Sequence, residues 1–242
     1  MTTFPIALAQ SDVPRRRYGR RTLALSAVDV ARRVLNVMLA LVALVVALPV
    51  LAIIAIAVKL SSPGPVFYTQ TRVGLNRRRL LPLGTRYRPT DCGGKPFTIF
   101  KFRTMRVNGG TNGSDKPGQV WATPDDPRVT RVGRFLRLYR LDELPQLVNV
   151  LLGDMEIVGP RPEQPAIFTQ LREQIPGYQA RQRVRPGITG WAQINQHYDS
   201  SIEDVRRKLA FDLEYIGRRS VTEDLRIMLW TLPVIAGKFG AW

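Results

Sequence analysis

The stretch "VLNVMLALVALVVALPVLAIIAIAV", Val34 to Val58, carries no charged side chain. As a helix rising ~1.5 Å per residue it extends about 37 Å, enough to cross the hydrocarbon core of a bilayer. Its flanks complicate a simple crossing. Arg15 to Arg17, Arg20, Arg21, Arg32 and Arg33 precede it, and Lys59, Arg72 and Arg77 to Arg79 follow it, so the positive-inside tendency claims both ends for the cytoplasm. Pro49, inside the run, removes a backbone donor and crowds the preceding turn, which can bend the helix back towards the face it entered. A re-entrant hairpin and a kinked spanning helix both satisfy these residues. A cleaved signal peptide does not, because the run is too long and no small-residue cleavage site ends it. The resulting division is a basic tail over 1–27, a membrane helix broken near Pro49 over 28–60, and a cytosolic domain over 61–242.

Bulk composition narrows what that domain does. The chain has 242 residues, 45% of them apolar, a formal net charge of +17 and a pI near 11.1. A real core is affordable, and an anionic partner is implied: lipid headgroups, phosphorylated substrates or nucleic acid. One cysteine, Cys92, excludes an internal disulfide, and one histidine, His197, leaves no Cys/His zinc cluster. No Walker-type loop, strand-linked GxGxxG or internal repeat is present. The basic residues gather round an apolar segment, without a nucleic-acid reader motif or interleaved aromatic platform, so no nucleic-acid partner is expected.

Beyond the apolar run, "PVFYTQTRVG" (Pro65 to Gly74) and "KPFTIFKFRTM" (Lys95 to Met105) read as strands. Alternation in the second places Lys101 and Arg103 on one face, roughly 6.8 Å apart, a spacing that suits adjacent phosphates and equally suits a solvated basic face. Asp126-Pro127 reads as the start of a helix carrying Val132, Leu136 and Arg137. A further helix is expected from Asp142, with Pro145 in its first turn and Gly153 as its stop. There Asp142 is either an N-cap or a working carboxylate held ionised by the helix terminus, and Glu143 beside it is redundant for capping. Two adjacent carboxylates in different surroundings titrate differently and divide acid, base or orienting work. Arg161, between Pro160 and Pro162, and Arg185, before a Pro186-Gly187 pair expected to form a type II turn, are arginines on stiffened backbone. Each suits a salt bridge or a bound anion. Ser201 with Asp204 forms a capping-box signal, and the segment from Thr222, with Trp230, Phe239 and Trp242, suits either the core or an interface.

In this order, "FTIFKFRTM", "RLYRLDELPQLVNVLLGDMEIVGPRPE" and "VRPGITGWAQIN" resemble the bacterial sugar transferases, small monotopic phosphoglycosyl transferases that load sugar 1-phosphates onto polyprenyl phosphate. The likeness covers Ala31 to Trp242. It implies an α/β, mainly helical fold: a re-entrant membrane hairpin, a small cytosolic catalytic domain with short strands, and interfacial amphipathic helices. It implies a UDP-sugar donor, with galactose or glucose the expected sugar, an undecaprenyl phosphate acceptor and exopolysaccharide synthesis as the setting. It also implies Mg2+ held at Asp142, anionic lipids of the bacterial inner membrane as surroundings, a catalytic domain on the cytoplasmic face, and downstream glycosyltransferases as partners. By motif, Asp142 falls on the nucleophile and Glu143 on its dyad partner, while Lys101, Arg103, Arg137, Arg161 and Arg185 fall at or beside phosphate-binding positions. A non-catalytic scaffold of polysaccharide assembly is the rival reading. The chain departs from the pattern in an inserted Leu80–Cys92 stretch and in having Leu48-Pro49 where some relatives have Ser-Pro, and it is expected to lack the N-terminal membrane bundle of larger relatives.

Overall fold

The computed structural model describes residues 27–76, 92–106, 126–196 and 201–237. The apolar run forms one helix, α1 (Ala27–Ser61), with Asp29 in its first turn and Lys59 in its last, each complementing the partial charge at its end. By length and composition α1 is able to cross a membrane. Pro49 lies inside α1 and does not interrupt it, so the break expected there is at most a bend: proline removes one N–H, and the apolar turns on either side keep theirs. Burial is confined to the two ends of α1. Arg32, Asn36 and Ala40 are buried near its start and Ile54 and Val58 near its finish, whereas Val46 is 72% exposed.

Both ends rest on the same folded unit. After α1 come β1 (Phe67–Val73), β2 (Pro96–Phe102), α2 (Arg131–Leu138), a 3-10 turn (Leu141–Glu143), α3 (Gln146–Leu152) and β3 (Glu156–Val158). Then follow α4 (Pro165–Gln174), a 3-10 segment (Tyr178–Arg183), β4 (Gly187–Thr189), α5 (Trp191–Asn195), α6 (Ile202–Arg218) and α7 (Val221–Ala236). The described chain is therefore mainly helical with few short strands. β1 and β2 pair antiparallel, from Phe67 opposite Phe102 to Val73 opposite Pro96, and β3 and β4 pair parallel. Strand alternation sends Phe97 and Ile99 to one face of β2, where they join Ala40, Leu147 and Val150, and Phe102 to the other, where it joins Ile54, Val58 and Leu136.

A two-stranded sheet leaves edges whose backbone groups need partners, and two helix-borne asparagines supply them. Asn149 of α3 donates Nδ2–H to Thr98 O at 2.7 Å and accepts from Phe100 N–H at 3.1 Å. Asn36 of α1 accepts from Ile157 N–H of β3 at 2.6 Å while donating to Arg32 O at 2.8 Å. Beside it, Arg32 donates to Asp224 Oδ2 of α7 through Nη2 (2.6 Å) and Nε (2.9 Å), and through Nη2 also to Tyr215 Oη of α6 (2.9 Å) and Glu156 Oε2 of β3 (3.3 Å). At the far end of α1, Arg103 Nη2 donates to Ser62 O (2.6 Å), Ser62 Oγ (3.0 Å) and Val58 O (3.2 Å).

Two local expectations are corrected. The helix expected from Asp126-Pro127 starts at Arg131, capped by Thr130 Oγ1, which accepts from Gly133 N–H at 2.8 Å. Asp126 is instead occupied by the guanidinium of Arg128 two residues on. Gly187 has no positive φ, so Pro186-Gly187 is not a type II turn; a Cβ at Gly187 would lie 2.0 Å from Gly159 N, and glycine is there for close strand approach. The Ser201 and Asp204 capping box forms as expected, and Trp230 of α7 is 58% exposed. The 1–26 tail, nearly all of the Leu80–Cys92 insertion, His197, Phe239 and Trp242 lie outside the described residues.

Removing one member of a buried ionic cluster strands its partners and costs about 3–5 kcal/mol, against ~1 kcal/mol or less for an exposed pair. Arg32→Ala is therefore expected to lower the unfolding midpoint in a denaturant titration far more than Arg207→Ala, which removes the exposed partner of Asp204.

Candidate active site

The acidic pair sits on a tight corner. Arg140 adopts φ 54°, ψ 20°, a left-handed conformation that side chains other than glycine and asparagine rarely hold without support. The chain then makes the 3-10 turn Leu141–Glu143 and enters α3 through Pro145. The α-helix expected from Asp142 therefore starts later, at Gln146 with Pro145 as its N-cap, and of the two readings of Asp142 the N-cap is the one that falls. In 3-10 geometry residues i and i+3 share a face, and Leu141 and Leu144 do so against Phe102, Leu136 and Ile54. That contact aims Asp142 and Glu143 away from the core cluster, yet both are buried, at 8% and 6% exposure.

Glu143 is fully engaged. Lys101, on the same face of β2 as Phe97 and Ile99, donates Nζ–H to Glu143 Oε1 at 2.7 Å. Arg161 donates through Nη2 to Oε1 at 2.6 Å and through Nη1 to Oε2 at 3.3 Å, and Nη1 also reaches Gln193 Oε1 at 3.1 Å. Burial alone raises the Glu143 carboxyl, but the charges and hydrogen bonds of Arg161 and Lys101 outweigh it and hold the group well below the usual carboxylate range. Asp142 goes the other way. Burial pushes it up, as does Glu143, against the opposing charges of Lys101, Arg161 and Arg137, and its carboxylate makes no hydrogen bond among the described residues. Burial also draws the Lys101 ammonium down, against the pull of Glu143.

The backbone of Arg161 is gripped along its length. Pro160 O accepts from Gly187 N–H (3.0 Å), Arg161 O from Arg181 Nη2 (2.9 Å), Pro162 O from Arg72 Nη1 (3.2 Å) and Glu163 O from Val73 N–H (2.8 Å). Arg137 lies close enough for its charge to act on Asp142, while its Nε–H is given to Thr104 Oγ1 at 2.9 Å.

The fold thus brings together Asp142, Glu143, Lys101, Arg161 and Arg137. It places Arg103 and Arg185 elsewhere. β2 ends at Phe102, so the alternation that pairs Lys101 with Arg103 does not reach residue 103, which turns to the end of α1. Arg185 Nε donates to Gly153 O at 3.0 Å and Nη1 to Glu156 Oε1 at 3.2 Å, on the Arg32 side of the molecule. Gln193 and Arg181 are site neighbours that the sequence reading did not single out. Gln193 stands in the quoted "TGWAQIN", but an amide carries no charge pattern to mark it.

A locked carboxylate beside an unengaged one, among three cations, suits a phosphate-bearing substrate. Among the described residues no group of three or more His, Cys, Asp or Glu is arranged to hold a metal. Of the pair Asp142 and Glu143, Asp142 has the carboxylate without a hydrogen bond among the described residues, a donor set that fits Mg2+ only where phosphates and waters complete its octahedron.

The chain belongs to the bacterial sugar transferase family, whose profile it matches over residues 27–238. It is similar to the UDP-glucose:undecaprenyl-phosphate glucose-1-phosphate transferase of Escherichia coli (strain K12), 45% identical over 203 residues, 83% of this chain and 39% of that protein. It is also similar to the UDP-N-acetylgalactosamine-undecaprenyl-phosphate N-acetylgalactosaminephosphotransferase of Aeromonas hydrophila, 39% identical over 210 residues, 87% of this chain and 44% of that protein. The exopolysaccharide production protein PSS of Rhizobium leguminosarum bv. phaseoli is 37% identical over 208 residues, 84% of this chain and 94% of that protein. The chain thus spans less than half the length of the first two and nearly all of the third.

Because the folded-state pKa of Glu143 lies below its unfolded value of about 4.3, its ion pairs stabilise the fold above that pH, and their contribution is lost as pH falls towards the folded value. Glu143→Gln is expected to be clearly less stable than wild type at pH 7, with the gap narrowing below about pH 4. A constant gap across that range, by denaturant unfolding, would contradict the assignment.

Proposed function

We propose that this chain transfers a sugar 1-phosphate from a UDP-sugar to undecaprenyl phosphate with release of UMP, and so begins an exopolysaccharide or related glycoconjugate. The observation that carries the reading is the unengaged, buried Asp142 carboxylate beside a Glu143 fixed by Lys101 and Arg161, in a chain of the bacterial sugar transferase family. An Asp142 carboxylate oxygen attacks the phosphorus that bears the sugar; the phosphoanhydride P–O bond breaks and UMP leaves, with the sugar phosphate held as an acyl phosphate. A phosphate oxygen of undecaprenyl phosphate then attacks the same phosphorus, and the acyl P–O bond breaks to return the carboxylate. Lys101, Arg161 and Arg137 supply positive charge to the phosphates, and Glu143 keeps Lys101 and Arg161 in place. Mg2+, when bound at Asp142 with substrate phosphates, neutralises their charge. Arg103 and Arg185, occupied elsewhere, support the frame of the site.

The donor sugar follows from neither geometry nor names, since glucose and N-acetylgalactosamine both occur among the relatives. Membrane association is supported by α1. The finer reading is that α1 is re-entrant in the cytoplasmic leaflet of the inner membrane, and its support is that Arg32, Asn36, Ile54 and Val58, from both ends, are buried against one domain while Val42, Val45, Val46 and Leu48 between them are exposed. A chain crossing the membrane carries its two ends to opposite sides, and one small domain cannot follow both.

Offered a panel of radiolabelled UDP-sugars and undecaprenyl phosphate, wild type is expected to form one lipid-linked product and Asp142→Asn at least ~10³-fold less. Donor without lipid is expected to leave a phosphosugar mass on intact wild type and none on Asp142→Asn. No product from any donor would favour a scaffold, and UMP release strictly dependent on lipid would favour direct transfer.

A further inference from the structure

Arg161 is held from behind by a second arginine. The side chain of Arg181 is 1% exposed. Its Nε–H goes to Asp212 Oδ2 of α6 at 2.6 Å, its Nη1 to Tyr178 Oη at 2.6 Å and Glu163 Oε1 at 3.3 Å, and its Nη2 to Arg161 O at 2.9 Å. The guanidinium also lies 5.0 Å from the centroid of the Tyr178 ring, and Lys208 braces Glu163 Oε1 at 3.0 Å. Arg181 therefore spends its donors in four directions and makes no hydrogen bond to Asp142 or Glu143.

Three of those four partners would satisfy a guanidinium as a plain buried ion cluster. The fourth is the carbonyl of the residue whose side chain forks onto Glu143. Arg161 needs outside support because proline lies on both sides: neither Pro160 nor Pro162 has an N–H with which to fix the segment. Its position is set by what grips its carbonyls, and Arg181 is the charged, fully buried member of that set. A buried ion cluster is weakly stabilising at best compared with apolar packing, so stability alone is a poor reason for placing one here.

We propose that Arg181 is a positioning residue: by fixing the Arg161 carbonyl from α6 and the Tyr178–Arg183 segment, it sets the geometry with which Arg161 meets Glu143 and the substrate phosphates. This rests on the transferase reading above. On this reading the substrate phosphate contacts Arg161, and of Asp142, Glu143, Lys101, Arg137 and Arg161 the only one to which Arg181 hydrogen-bonds is Arg161. The dependence is thus serial, and serial dependence has a signature that a general structural role lacks.

The test is a double-mutant cycle on the full chain in lipid nanodiscs, read as single-turnover transfer to undecaprenyl phosphate from the donor that wild type accepts. Arg181→Lys keeps the charge, but an ammonium cannot reproduce the planar fork to Asp212, Tyr178 and Arg161 O. It is expected to slow transfer about 10-fold or more in the wild-type background and less than about 2-fold in Arg161→Ala, because the interaction it serves is already gone. Equal losses in both backgrounds, or an undiminished rate in folded Arg181→Lys, overturn the proposal. Tyr178→Phe removes one acceptor and keeps the ring contacts, so it reports even where Arg181→Lys does not fold: a loss of roughly 3-fold, absent in Arg161→Ala, supports the relay, and a full rate overturns it. An inactive wild type overturns the transferase reading and this inference with it, and is recognised by the absence of rate in every protein.

Discussion

The structure depends on holding both ends of a 35-residue apolar helix against one small domain. Apolar contact alone is a weak way to do so, because burial is non-directional and among the described residues no residue of α1 between Ala40 and Ile54 is fully buried. The domain uses directional groups instead. Arg32 enters from α1 into a buried cluster of Asp224, Glu156 and Tyr215, and Arg103 leaves the domain to bind the last turn of α1 and Ser62. One arginine reaches in and the other reaches out. Between these two pins lie β2 and α3, which carry Lys101 and follow directly from the acidic turn.

The same economy governs the domain itself. Two sheets of two strands each have little to bury and mostly edge to show. They persist because helices lend them polar partners: Asn149 serves the edge of β2 and Asn36 that of β3. Asn149 stands on the helix that begins just after Glu143, and the strand it grips carries Lys101 two residues beyond Thr98's neighbour Ile99. The amide bonds therefore fix the distance across which Lys101 and Glu143 meet. Charge geometry at the site is a product of sheet-edge chemistry.

Much of this was legible in the sequence, and the limits are physical. The long apolar run, the two strands flanking the first loop, the Ser201 cap and the Gly153 stop follow from period, capping chemistry and the left-handed preference of glycine. Asp142, Glu143, Lys101 and Arg161 stood out because charge in an unusual setting is visible in a string. What failed did so where a long-range partner overrode a local rule. Asp126 looked like a cap until Arg128 took its carboxylate; Gly187 looked like a turn until β3 required its closeness; Arg103 looked like a partner of Lys101 until the strand ended one residue short. The Arg181 cluster was unreadable, because Glu163, Arg181 and Asp212 are ordinary surface residues in a sequence and become a buried unit only in space.

Asn36 has a further consequence. A smooth apolar cylinder in an apolar solvent is indifferent to rotation about its own axis, and nothing in its hydrophobicity says which side should face inward. Arg32 and Asn36 lie four residues apart, one turn of the same stripe, and each is matched to a partner that accepts only one orientation. They act as two teeth of a key. A roll of α1 by a single residue, about 100°, would strand a guanidinium and leave the Ile157 N–H unmet, so α1 has one angular setting. The one polar residue in an otherwise greasy run is what gives the helix an azimuth.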